Sequence, residues 1–171
     1  MDYNKNNQEF RKTELCLKAL SDIKTAANKK GIKFWLLGGL AHAFHIGRVY
    51  REHNDLDLIV KTPKDQEEFL KILKSLGFEK ISERKPRLTE NLTNFIYENK
   101  QGVQVDIGPY VKEFGIVEED FEEDEKELND IKCRVLSKRY LIDFKKYQLK
   151  TRDKEKDLID LRMLEEIPNK K

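Results

Sequence analysis

Apolar positions recur along the chain at two periods. Phe10, Leu17, Leu20, Ile23 and Ala27 fall at near-helical intervals and predict a packing helix, which Gly31 ends where a left-handed residue is needed. Phe34-Trp35-Leu36-Leu37 is a short continuous apolar run bounded by glycines, which predicts a buried strand stopping at Gly38-Gly39. Leu40 to Ile46 has the length of a short helix before Gly47, and Leu56-Asp57-Leu58-Ile59-Val60 resumes as a strand. Pro63 with Asp65 opens a helix whose apolar face is Phe69, Leu70, Ile72, Leu73 and Leu76, ending at Gly77.

The second half alternates more closely. Phe78 to Ile81 is a short strand candidate, followed by a basic loop from Arg84 to Arg87. Thr93 to Glu98 and Val103 to Ile107 are strands joined by the turn Asn99-Lys100-Gln101-Gly102, with Val103, Val105 and Ile107 alternating against Gln104 and Asp106. Residues 118–127 carry eight carboxylates in ten positions, a density that predicts a solvated loop or exposed helix. Ile131 to Leu136 is a further strand, Ser137 is a cap for the next helix, and Tyr140 to Ile167 is helical. The expected architecture is α/β (α+β), a single domain over 1–171 with a helical C-terminal part at about 137–167.

Composition narrows this little. At 171 residues and 38% hydrophobic content the chain can bury one sizeable core. Its 34 basic and 32 acidic residues nearly cancel, so net charge makes no case for nucleic acid or an acidic membrane, and electrostatic specificity must be local. No apolar run reaches membrane-spanning length and the N-terminus lacks a secretory core, so a cytoplasmic protein with no membrane partner is expected. Cys16 and Cys133 lack metal-ligand spacing and read as reduced apolar fillers.

The candidate chemistry lies between Leu36 and Val60. Side chains alternate across a strand, so Asp55 and Asp57 share a face, about 7 Å apart at their backbones, while Leu56 and Leu58 take the other. Two such carboxylates suit Mg²⁺, which takes one or two carboxylates plus substrate phosphates. Asp106 on a neighbouring strand would add a third ligand or a base. The alternative is an amphipathic strand with a wet face. Gly38-Gly39 before a short helix lets the backbone approach a phosphate. Arg48, Arg51 and His53 are candidate phosphate contacts, or alternatively Arg51 and His53 neutralise the aspartates. His42 and His45 are read as structural.

Gly38-Gly39, Gly47-Arg48, Arg51, His53, Asp55 and Asp57 together resemble the nucleotidyltransferase motif of the DNA polymerase β superfamily. The likeness is closest to the small antibiotic-modifying branch, the lincosamide and aminoglycoside 2″-nucleotidyltransferases. It is strong over about twenty residues and weaker at Val105-Asp106-Ile107 and at Arg152, Lys156, Asp157 and Asp160. The resemblance implies a mixed, twisted central sheet with helices packed on one side. It implies Mg²⁺, as two ions held by Asp55, Asp57 and Asp106, and an NTP, ATP by preference, as co-substrate. By the same likeness Asp106 is base or further ligand, Gly38 and Gly39 form the phosphate loop, and Lys156 contacts the nucleotide. The branch often has Trp after the second glycine and an acidic residue three positions on, where this chain has Leu40 and Ala43. The implied reaction is NMP transfer from Mg-NTP to a hydroxyl of a small molecule, an aminoglycoside or lincosamide. Two alternatives stay open: a toxin-like enzyme acting on tRNA or protein, motivated by the basic stretch Lys138 to Lys156, and a non-catalytic nucleotide-binding module. Whether a homodimer completes the site also stays open.

Overall fold

In the computed structural model, which describes residues 10–85, 93–110, 115–151 and 155–168, the glycine-bounded apolar run becomes β1 (Trp35–Leu37) and leads directly into α2 (Gly38–Ile46). Before them lies α1 (Arg11–Lys29), and after them β2 (Asp55–Val60), α3 (Pro63–Ser75), β3 (Glu79–Arg84), β4 (Asn94–Glu98) and β5 (Gln104–Pro109). A 3₁₀ turn (Glu118–Asp120), β6 (Phe121–Leu128), β7 (Ile131–Leu136), α4 (Lys138–Thr151) and α5 (Glu155–Glu165) complete the order.

The strands form one seven-stranded mixed sheet in the order β3-β4-β5-β2-β1-β7-β6. β2 is parallel to β5 and antiparallel to β1, β1 is parallel to β7, and the two outer hairpins are antiparallel. The core-facing positions Leu36, Leu56, Leu58, Val105 and Ile107 are essentially sealed from water, which is why the alternating apolar pattern of β2 and β5 fixes their register. α1 packs against α3, and α2 against α4 and α5, which also pack on each other.

The expected signals at Gly47, Pro63 and Ser137 act locally, and Thr62 adds a cap that the sequence reading does not name. Gly47 caps α2 in the left-handed region, its N–H donating to Ala43 O at 2.8 Å. Thr62 caps α3 by accepting from Asp65 N at 3.0 Å, with Pro63 in the first turn. Ser137 Oγ accepts from Tyr140 N at 3.1 Å and caps α4. The C-terminal segment is two helices, and their junction at 152–154, including Arg152, lies outside the described residues, as do Pro86 and Arg87 of the expected basic loop. Arg84 is the last residue of β3.

The acidic segment also departs from its expectation. Segment 118–127 is neither loop nor exposed helix: after the 3₁₀ turn it is the edge strand β6. Its ends, Phe121 and Leu128, are buried, and Phe121 packs edge-on to Trp35 at 4.9 Å between centroids. The carboxylates between them are met by cations from neighbouring elements: Lys24 on Glu125 at 2.7 Å, Lys33 on Glu123 at 3.0 Å and Arg134 on Glu123 at 3.2 Å. Cross-strand pairing offsets the self-repulsion, and a charged edge strand resists pairing with other chains. Among the described residues no helix is long and apolar enough to cross a membrane.

Candidate active site

The register of the central strands brings the three aspartates to one face. β2 and β5 run parallel with Asp57 opposite Asp106 and Asp55 opposite Gln104. Leu56 and Leu58 point into the core on the other face, so Asp55 is left exposed and Asp57 and Asp106 partly buried. Burial raises the Asp57 carboxyl to about 7, with repulsion from Asp55 and Asp106 adding to it and Arg84 and Lys145 opposing it. Burial also raises Asp106, against the pull of Arg84 and Asn94. Arg84 Nη2 donates to Asp106 Oδ2 at 2.5 Å and Asn94 Nδ2 to Asp106 Oδ1 at 3.1 Å.

The glycine pair stands directly over this face. Leu37 pairs with Asp57, so the next residue, Gly38, begins α2 beside that carboxylate. Gly38 has φ +69, and a Cβ there would overlap Asp57 Oδ2 and come within 2.7 Å of its Cγ. A Cβ on Gly39 would come within 2.5 Å of Arg51 Nη2 and 3.1 Å of His53 Nδ1. The first N–H groups of a helix lack intrahelical partners, and here they belong to the two residues that can be approached most closely.

The other expected residues fall into two groups. Arg51 and His53 lie under the glycines, but Arg51 is engaged: its Nε and Nη2 donate to the two oxygens of Asp160 at 2.7 and 2.8 Å, and Nη1 to Glu52 O at 3.0 Å. His53 is buried and stays neutral, burial and the Arg51 charge lowering its pKa to about 3. Arg48 is exposed in the α2–β2 loop and Lys156 is exposed in the first turn of α5, and among the described residues no hydrogen bond or ion pair ties either to the three aspartates. His42 Nδ1 lies 2.6 Å from Gly38 O and His45 Nε2 lies 2.9 Å from Leu136 O, in keeping with structural roles.

Two features were missed by sequence reasoning. The first is a buried ionic network behind the glycines. Asp160 also accepts from Tyr50 Oη at 2.6 Å and Lys145 Nζ at 2.9 Å, and Lys145 reaches Asp157 Oδ1 at 2.6 Å. Burial by itself would raise the Asp160 carboxyl, but the bonds from Arg51 and the nearby cations hold it well below the usual range. The i, i+3 spacing of Asp157 and Asp160 was the available signal. The second is the pair of donors on Asp106, Arg84 and Asn94, which only the β3–β4–β5 register brings together. Beside Asp55 a cleft of about 330 Å³ opens between the start of α1 and the β4–β5 turn, with Leu15 and Val103 among its lining residues.

The fold has known counterparts. ANT(2″)-Ia in complex with adenylyl-2″-tobramycin is 20% identical with TM-score 0.72, over 88% of this chain and 87% of that one. The lincosamide antibiotic adenylyltransferase LnuA with lincomycin bound is 20% identical with TM-score 0.69, over 88% and 97%. A putative nucleotidyltransferase of Thermotoga maritima is 20% identical with TM-score 0.59, over 96% and 100%. At these identities the likeness establishes a shared nucleotidyltransferase fold. Among curated protein sequences nothing matches the chain. A family model for aminoglycoside-2″-adenylyltransferase matches residues 19–164, and the chain therefore belongs to that family of nucleotide-transferring enzymes.

Proposed function

We propose that this protein transfers AMP from Mg-ATP to a hydroxyl of a small molecule, an aminoglycoside or a lincosamide, in the cytoplasm. The observation that carries this reading is the in-register placement of Asp57 and Asp106, with Asp55 on the same face, beneath a glycine-started helix. The family and the tobramycin and lincomycin complexes of its structural neighbours support the acceptor class.

The donor set fits a divalent cation. Asp57 is raised to about 7 because burial and its neighbours disfavour its charge, and a cation would relieve that cost. Among the described residues no three His, Cys, Asp or Glu side chains are already gathered as a cage, so Asp55 and Asp57 are the natural pair, the rest of the shell coming from phosphates and water. When bound, Mg²⁺ supplies charge neutralisation on the triphosphate.

The chain's own groups supply the rest. The Gly38 and Gly39 N–H groups receive phosphate oxygens at the start of α2. Asp106 takes the proton of the acceptor hydroxyl, whose oxygen attacks the α-phosphorus. The bond from that phosphorus to the bridging oxygen of the β-phosphate breaks, and pyrophosphate leaves. Arg51, bonded to Asp160, braces the loop below Gly39 and does not act as a free phosphate ligand.

A nucleic-acid acceptor finds less support. On α4, Lys145 is buried in ion pairs and Lys146 pairs with Glu165 at 3.0 Å, which removes charge from any phosphate-tracking surface. β6 is three strands from β2 in the sheet, so its carboxylates lie on a different strand from the three aspartates. The reading is tested by pyrophosphate release from Mg-ATP across a panel of aminoglycosides and lincosamides, with Asp55→Ala as control. Acceptor-dependent release by wild type alone supports it, and no release above the control with any drug removes it.

A further inference from the structure

We propose that Asn94 is a positioning residue for Asp106 and that Gly108 provides the space in which it does so. The inference rests on the reading of Asp106 as the base. β4 and β5 are antiparallel with Ile96 opposite Asp106 and Phe95 opposite Ile107, which sets Asn94 opposite Gly108. Residues two apart on a strand share a face, so Asn94 and Gly108 lie on the face that carries the base. From there Asn94 Nδ2 donates to Asp106 Oδ1.

Gly108 makes this contact sterically available. A Cβ at 108 would come within 2.8 Å of Asn94 Cγ and 3.0 Å of Nδ2 and would overlap Oδ1. The whole amide occupies that space, so turning its tip would not clear the clash. The Gly108 backbone is not in the left-handed region, so conformation makes no demand for glycine there. The requirement is room for the amide.

The two donors on Asp106 differ in kind. Arg84 comes from the outermost strand, paired with Asn94 across β3–β4, and its side chain is 64% exposed. An ion pair that open to water is weak and exchangeable. Asn94 is half-buried and held against β5, so it fixes the rotation of the carboxylate about its own bonds. A base must meet its proton within hydrogen-bond reach, and small misplacements lower the rate of the chemical step more than they lower binding. With Oδ1 on a fixed amide, Oδ2 is the oxygen that faces the hydroxyl once Arg84 exchanges.

The test is steady-state kinetics on the full chain with Mg-ATP and tobramycin or lincomycin, and with water as acceptor if neither drug is used. Asn94→Ala is expected to lower kcat about tenfold or more with KM for ATP within about twofold, a split that a general loss of structure does not give. Gly108→Ala should lower kcat similarly. The double variant should be no worse than Asn94→Ala, because a side chain cut back to its Cβ no longer meets the added methyl. An unchanged kcat in either single variant, or losses that multiply in the double variant, would overturn the proposal. If Asn94→Ala does not fold, Gly108→Ala decides alone. Asp106→Asn run in parallel separates the two levels: an inactive Asp106→Asn beside a fully active Asn94→Ala sinks this proposal only, whereas a fully active Asp106→Asn, or a wild type that turns over nothing, sinks the base reading and this proposal together.

Discussion

The carboxylate of Asp57 occupies the space into which a side chain at position 38 would project. Even the Asp57 Cβ lies 3.0 Å from that point, so rotation of the carboxylate cannot clear it. Gly38→Ala therefore meets two penalties, left-handed backbone strain of about 1–2 kcal/mol and displacement of Asp57. Chemical denaturation should show the strain, and turnover should fall about a hundredfold, as for a misplaced reacting group.

The metal role proposed for Asp57 ties to stability. Its carboxyl is raised from 3.8 to about 7, so the native protein takes up a proton relative to the unfolded chain, and stability falls as pH rises between those values. Asp57→Asn should raise the melting temperature of metal-free protein at pH 8. Mg²⁺ should stabilise wild type by about 2.7 kcal/mol at a hundred times its Kd, and more effectively at pH 8 than at pH 6. Differential scanning fluorimetry with and without Mg²⁺ checks both, and an equal Mg²⁺ shift in Asp57→Asn would remove the metal assignment.

Lys145, Asp157, Asp160 and Arg51 form a buried network in which each charge depends on the others. Asp160→Ala leaves Lys145 and Arg51 partly uncompensated and is expected to cost about 3–5 kcal/mol in urea unfolding. Because Arg51 lies against Gly39 at the start of α2, the same variant should bind ATP less tightly under conditions where it is still folded.

His42 gives the opposite pH slope to Asp57. Burial lowers its pKa from 6.5 to about 4, partly countered by Asp160 and the bond to Gly38 O. The unfolded chain then takes up the proton first, so the His42 contribution to stability is complete above pH 6.5 and is lost as pH falls toward 4, roughly 3 kcal/mol in all. In urea titrations the stability difference between wild type and His42→Asn should shrink over that interval and stay constant above it.

How much was legible depends on which interactions are local. The strand with Asp55 and Asp57, the glycine pair, the helix end at Gly47, the helix start at Pro63 and the cap at Ser137 depend on residues a few positions apart, so period and residue type identify them. Asp106 reads from the sequence as a third carboxylate on a neighbouring strand, but its register opposite Asp57 is not legible, since nothing within β5 says which strand lies beside it. Arg84, Asn94 and Lys145 could not be assigned because their partners are 12 to 22 residues away and meet only through strand register or helix packing. The acidic segment misled because charge density along the chain says nothing of Lys24, Lys33 and Arg134, which neutralise it from other elements.

The most direct measurement is the mass of tobramycin and of lincomycin after incubation with Mg-ATP and the protein, with pyrophosphate measured in the same samples. The expected result is a drug heavier by one AMP with equimolar pyrophosphate from wild type, and a rate lower by about 10²–10⁴-fold with Asp106→Asn. An unmodified drug panel, together with labelled AMP appearing on RNA or protein, would contradict transfer to a small-molecule hydroxyl.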